Sequence, residues 1–200
     1  AKYGIYGRAF DGAVSITSIG NIDANEEGIL GDSKNGAVTI TSTGDIHSQN
    51  RAGIKGTAVG GAVSINTIGN IVSDVQYGIR GSSTDGAVSI DSTGNIDAYW
   101  KGIDAHSDDG AVSINSTGNI DANDDGIYGV SKNGAVTITS TGNIDAGDGS
   151  YHRYGIYGSS PNGAVSITIA SGLVISDTGV GVAGDRTNSD TRSTVNIASS

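Results

Sequence analysis

Residues 134–158 read GAVTITSTGNIDAGDGSYHRYGIYG. Val136 and Ile138 alternate with Thr137 and Thr139, which is the period of a strand with one apolar face. Gly142-Asn143 breaks that run. Ile144 and Ala146 then alternate with Asp145, and a third segment follows at Gly155-Ile156-Tyr157-Gly158. Three short alternating segments with glycine-led corners and no helical stripe describe one turn of a strand-only coil. The stretch GDGSYHRY, residues 147–154, interrupts the pattern with two tyrosines, a histidine and an arginine.

The same unit fills the chain. GAV begins at Gly12, Gly36, Gly61, Gly86, Gly110, Gly134 and Gly163, at spacings of 24, 25, 25, 24, 24 and 29 residues. We denote the segments typified by GAVSI, GNIDA and GIYG as edges A, B and C. In the first six units A to B is eight residues, as is C to the next A throughout, and only B to C varies, reaching thirteen where the insertion sits. Self-similarity at this period is the signature of a solenoid. Successive copies of each edge pair in parallel, giving an all-β, single-stranded parallel β-helix. It is a triangular solenoid of about eight coils of about 24 residues, roughly 40 Å long at ~4.8 Å per coil. Residues 1–200 read as one continuous solenoid, with a degenerate last coil at 172–200.

The coil predicts columns of stacked side chains. Val14, Val38, Val63, Val88, Val112, Val136, Val165 and then Val195 form one interior column of edge A. Ile16, Ile40, Ile65, Ile90, Ile114, Ile138, Ile167 and then Ile197 form the second. Edge C supplies Ile5, Ile29, Ile54, Ile79, Ile103, Ile127, Ile156 and Val182. Burying each such side chain contributes about 1.5–3 kcal/mol, and a stack can bury a face that one coil cannot. Asn21, Asp45, Asn70, Asn95, Asn119 and Asn143 form a polar ladder at the A–B corner, where asparagine tolerates left-handed geometry. Asp23, Asp97, Asp121 and Asp145, interrupted by His47 and Val72, lie on an outer face that like-charge repulsion keeps solvated.

Composition narrows the function classes. A net charge of −10 disfavours nucleic acid and anionic membranes as partners. The absence of cysteine excludes disulfides and thiolate metal sites. No apolar run is long enough to span a bilayer, so this segment is not expected to insert directly. Neither a phosphate loop nor zinc-ligand spacing is present. His47, His106 and His152 lie in different coils, and no serine, histidine and aspartate are singled out as a triad. We therefore expect no enzyme, no cofactor and no metal. The acid pairs Glu26/Glu27, Asp108/Asp109 and Asp124/Asp125 read as solvated corners, with weak calcium binding near Asp121 as the alternative.

Variation is unevenly placed around the coil. All ten aromatics and all eleven lysines and arginines fall on edge C or its flanking corners. Edges A and B are scaffold in Ser, Thr, Asn and Asp. The B–C corner holds Tyr77 in one coil, Tyr99, Trp100 and Lys101 in the next, and Tyr151, His152, Arg153 and Tyr154 two coils on. These residues are expected to form a ridge, with Lys55, Arg80, Tyr128 and Tyr157 on the adjoining face of edge C. Trp, Tyr and Arg are the types that carry binding energy at interfaces, and loops on a rigid scaffold are common seats of function. The alternatives are an inert stalk displaying another domain, a carbohydrate-active enzyme, and an ice-binding face made by the hydroxyl pairs of edge A.

The units GAVTITSTGNIDA and DGIYG, with Gly-Ile-Tyr-Gly at 4–7, 126–129 and 155–158, resemble passenger domains of bacterial autotransporters of the alphaproteobacterial type. The resemblance covers nearly the whole chain, and its motifs are those of the repeat. It implies a right-handed coil, and a protein secreted to, or displayed on, the bacterial outer-membrane surface. It also implies a virulence-type adhesin or receptor ligand, the proangiogenic mitogens among them, whose partner is a host cell-surface protein or glycan. The chain starts and stops in mid-pattern and reads as a fragment. The signal peptide and the C-terminal β-barrel that the resemblance implies are not in it.

Overall fold

The computed structural model describes residues 1–147 and 154–172 and the strands 174–176, 182–185 and 193–197. Those residues are strands, corners and turns, with no helix among them. Strands from successive coils pair in parallel in three sheets, of eight strands on edge A, eight on edge C and seven on edge B. The strands are unequal in length although the glycine-to-glycine spacing is even. Val88–Thr93 of edge A has six residues, Ile96–Ala98 of edge B three, and Ile103–Ser107 of edge C five. The remainder of each edge is corner. Six three-strand turns run from Val14 to Ser159, against the about eight read from the repeat, because the first and last units add only parts of a turn to that run.

Register follows the apolar columns. Val88 pairs with Val63 and Val112, and Ile90 with Ile65 and Ile114. Ile79 pairs with Ile54 and Ile103, and Ile156 with Val182. The final edge A strand departs from expectation. Ser193, not Val195, lies on Val165, while Val195 lies on Ile167 and Ile197 on Ile169. The preceding strand, Val165–Ser171, is longer and carries a third inward apolar residue, Ile169, so the apolar pair meets its partners two residues further along. A two-residue shift preserves the alternation of the strand, which a one-residue slip would invert.

The interior is filled by short side chains. Ile29, Ile40, Ile54, Ile65, Ile79, Ile90 and their successors are fully buried. The inward position between Ile and Ser on edge C is glycine in most coils, because a Cβ at Gly81 would lie 2.8 Å from Val88 Cγ1. The C–A corner is tied by serine: Ser83 Oγ donates to Gly61 O at 2.7 Å and accepts from Gly86 N at 2.9 Å. Ser107 and Ser131 repeat both bonds one and two coils later.

The A–B corner carries the polar ladder, with one difference from the sequence reading. Each side chain accepts from the backbone of the next coil: Asn95 N donates to Asn70 Oδ1 at 3.0 Å and Asn119 N to Asn95 Oδ1 at 2.9 Å. The left-handed residue is the preceding glycine, with φ of 125° at Gly94 and 127° at Gly118, and no non-glycine residue has positive φ among the described residues.

Gly94→Ala should be strongly destabilising. The backbone conformation alone costs about 1–3 kcal/mol for a residue with a Cβ, and the added atom would meet Gly69 O at 2.3 Å. At Gly12 an added Cβ meets nothing within 4 Å, so Gly12→Ala is the neutral control. Thermal denaturation of the two variants should show a large loss for the first and little change for the second.

Candidate binding surface

The outward residues of edge C form one in-register column: Tyr6, Leu30, Lys55, Arg80, Asp104, Tyr128 and Tyr157. Beside it, at the B–C corner, stand Tyr77, Tyr99, Trp100, Lys101 and Tyr154. Of the predicted ridge, Tyr151, His152 and Arg153 lie outside the described residues.

The aromatic and charged side chains interlock. The Tyr77 and Trp100 rings lie 5.0 Å apart by centroid, and the Arg80 guanidinium sits 4.8 Å from the Tyr77 ring while donating to its hydroxyl at 3.2 Å. Arg80 Nε also faces Asp104 Oδ2 at 3.4 Å, and His106 Nε2 lies 2.8 Å from Asp104 Oδ1. Asp104 is only 2% exposed although it points away from the core, because this cluster roofs it. Tyr128 stacks on Tyr157 at 4.9 Å, and Tyr154 packs on Tyr157 at 4.7 Å.

Lys101 is spent within this network. Its ammonium lies 4.1 Å from the centre of the Tyr128 ring, 3.4 Å from Asp124 Oδ2, and in contact with Asp125 Oδ2. Asp125 Oδ1 accepts from the Tyr154 amide at 2.9 Å. Burial pulls the Lys101 ammonium toward the neutral form, but the Asp125 hydrogen bond and the charges of Asp125, Asp124 and Asp104 outweigh it and raise its pKa. Asp124 and Asp125 are therefore a buried counter-ion pair and not the solvated or calcium-holding corner that the sequence suggested. Glu27 is buried too, with Arg51 NH1 3.8 Å from its Oε1. Asp108 and Asp109 are exposed, as expected. Among the described residues no group of three or more His, Asp or Glu side chains is set to hold a metal ion.

The surface that remains for a partner is smaller than the sequence ridge. Tyr77 is 8% exposed and serves as a floor under Trp100. Tyr99 is 61% and Trp100 43% exposed. Tyr128, Tyr154, Tyr157, Lys55 and Arg80 are half-buried and line the adjoining face. Sequence reasoning missed the Lys101–Asp125 pair, although the signal was available: the two positions differ by 24 residues, one coil. It also missed the Arg80–Asp104–His106 cluster, in which Arg80 and Asp104 are again 24 residues apart and His106 reaches Asp104 from two residues along the same strand.

On edge B, Asp97, Asp121 and Asp145 stack in register. Burial, and then the charges of Asp97 and Asp145, raise the Asp121 pKa. His47 breaks the column lower down, with Nδ1 3.3 Å from Asp23 Oδ1 and Nε2 3.0 Å from Asp74 Oδ2. The Asp74 hydrogen bond raises the His47 pKa against desolvation, with the charges of Asp74 and Asp23 adding to it. No protein-family model, curated protein or solved structure matches the chain.

Two predictions follow from these pairs. Lys101→Ala leaves two buried carboxylates without their cation and should cost about 3–5 kcal/mol; adding Asp124→Asn and Asp125→Asn should recover most of it in denaturant unfolding. His47 should titrate in NMR above its ordinary 6.5, and Asp74→Ala should return it toward that value. Its raised pKa means the protonated form stabilises the fold below pH 6.5, a contribution lost as pH rises through the folded-state value.

Proposed function

We propose that this chain is a binding scaffold: a secreted or surface-displayed solenoid, of the kind autotransporter passengers supply, that engages a protein or glycan on a host cell through edge C and the B–C corner. The observation that carries the reading is the segregation of every aromatic and every lysine and arginine to one edge and its corners. A stalk under no demand but stability has no reason to concentrate Trp, Tyr and Arg on one side. Tyr99 and Trp100 stand exposed at the corner beside half-buried Tyr128, Tyr154 and Tyr157. Rigid aromatic rings backed by a packed floor give contact area at low entropic cost.

The stalk remains the second reading, favoured by a specific observation. Lys101, Arg80 and Tyr77 satisfy one another and their acidic neighbours, so much of the ridge chemistry is engaged inside the protein.

Binding of the labelled chain to cultured animal cells separates the two. Saturable binding by wild type that drops at least about thirtyfold in Tyr99→Ala/Trp100→Ala, roughly the effect of losing one hot-spot residue, supports the corner as the recognition surface. Circular dichroism should be unchanged, because both rings are outside the core. Equal binding by both chains moves the site off this corner, and no binding by either favours the stalk.

A further inference from the structure

Each edge A strand sends three side chains inward, and in six successive coils the third is a hydroxyl. Ser18, Ser42, Thr67, Ser92, Ser116 and Ser140 stack in register from coil to coil and all are buried. The hydroxyls of Ser42, Thr67, Ser92, Ser116 and Ser140 have no hydrogen-bond partner among the described residues. The serines of the C–A corner contrast with them, since Ser33, Ser83, Ser107, Ser131 and Ser160 each bond a corner carbonyl. The unpartnered hydroxyls thus form one continuous column.

Leaving a buried hydroxyl unpaired costs about 1–3 kcal/mol, and native chains keep such groups few. Direct bonding from coil to coil fails on distance. In-register neighbours on adjacent strands lie about 4.8 Å apart, whereas an O–H···O bond spans about 2.7–2.8 Å. Two such bonds meeting near the tetrahedral angle span about 4.6 Å, close to the strand spacing. A single oxygen between successive hydroxyls therefore satisfies both. A serine or threonine hydroxyl has one hydrogen to donate and lone pairs to accept, so the relay can run the length of the column.

We propose that the interior of edge A binds a single file of water, one molecule between each successive pair of hydroxyls from Ser42 to Ser140. Each water has two hydroxyl partners, the lower limit for a buried site. In the next coil Ile169 lies on Ser140 and is buried, so the column changes there from hydroxyl to apolar. Ile169 ends the file, because it offers no polar atom. The interior is then a composite, with a dry Val and Ile stack along most of the coil and a hydrated seam along one line.

The test is a high-resolution crystal structure and a thermal melt of the chain and of Ser92→Ala/Ser116→Ala. Density peaks within ordinary hydrogen-bond distance of successive hydroxyls in the wild type, absent around positions 92 and 116 in the variant, are expected. So is a Tm lower by about 2–4 °C per substitution, the effect of one lost bond in a chain of this size. Empty density between the wild-type hydroxyls overturns the proposal. A Tm that rises in the variant overturns it equally, since that is the response to removing a hydroxyl that had no partner. Alanine preserves the strand and its inward packing, so circular dichroism should show both chains folded.

Discussion

Parallel in-register stacking governs this molecule. Each residue sits about 4.8 Å above the residue one coil earlier, so a side chain's principal neighbour is a copy of its own position. Apolar residues gain from this, and Val and Ile repeat without a break through the described edge A strands up to Val165 and Ile167. Asparagine gains as well, because one Oδ1 reaches the amide of the next coil. Charge loses, since like charges stacked at this distance repel. The chain meets that constraint by alternating sign at one-coil separations: Arg8 with Asp32, Arg80 with Asp104, Lys101 with Asp125. Sign does not alternate at Lys55 and Arg80 on edge C, nor at Asp97, Asp121 and Asp145 on edge B, where burial and then the two neighbouring charges push the central carboxyl toward its neutral form.

The constraint explains what could be read from sequence. The large inward positions repeat Val or Ile from coil to coil because their neighbours do, so repeat alignment alone gives the register of Ile5 through Ile156 and of the Asn ladder. It fails where the repeat does. At Ser193–Ile197 the aligned valine and isoleucine lie two residues from their expected partners, opposite a strand that is longer and carries a third inward apolar residue, Ile169, which a column count does not weigh. Strand length was also hidden, since glycine spacing marks corners and does not say how much of each edge pairs. The left-handed corner was assigned to asparagine, but glycine takes that conformation and leaves asparagine free to bond.

The candidate surface was legible in outline and not in detail, for the same reason. Composition places the aromatics and cations on edge C, but burial on that edge depends on contacts between columns as well as along them. Asp104 faces outward and is buried because Arg80 and His106 converge on it. Tyr77 is covered by Trp100 from the next coil. A period-two pattern predicts facing, and these are cases where facing outward and being exposed part company.

Edge C is also where a solenoid of this kind has freedom to vary. Edge A to edge B is fixed at eight residues in the first six units, and edge C to edge A at eight throughout. The corners joining them are held by stacked glycines, where an added Cβ at Gly86 would lie 2.4 Å from Gly61 C. Neither corner tolerates an insertion or a large side chain without displacing the coil beneath. The B–C corner ends in a similar stack, where an added Cβ at Gly78 would lie 2.7 Å from Gly102 O, but the residues between edge B and that glycine vary in number and kind. It accepts Tyr77 in one coil, Tyr99-Trp100-Lys101 in another and a lengthened segment two coils later, while Ile79, Ile103, Ile127 and Ile156 keep their register. Sequence change there leaves the scaffold's packing intact. That decoupling of surface from core is the physical condition for a rigid repeat to acquire a specific partner, and in this chain the aromatic residues have accumulated along the edge that meets it.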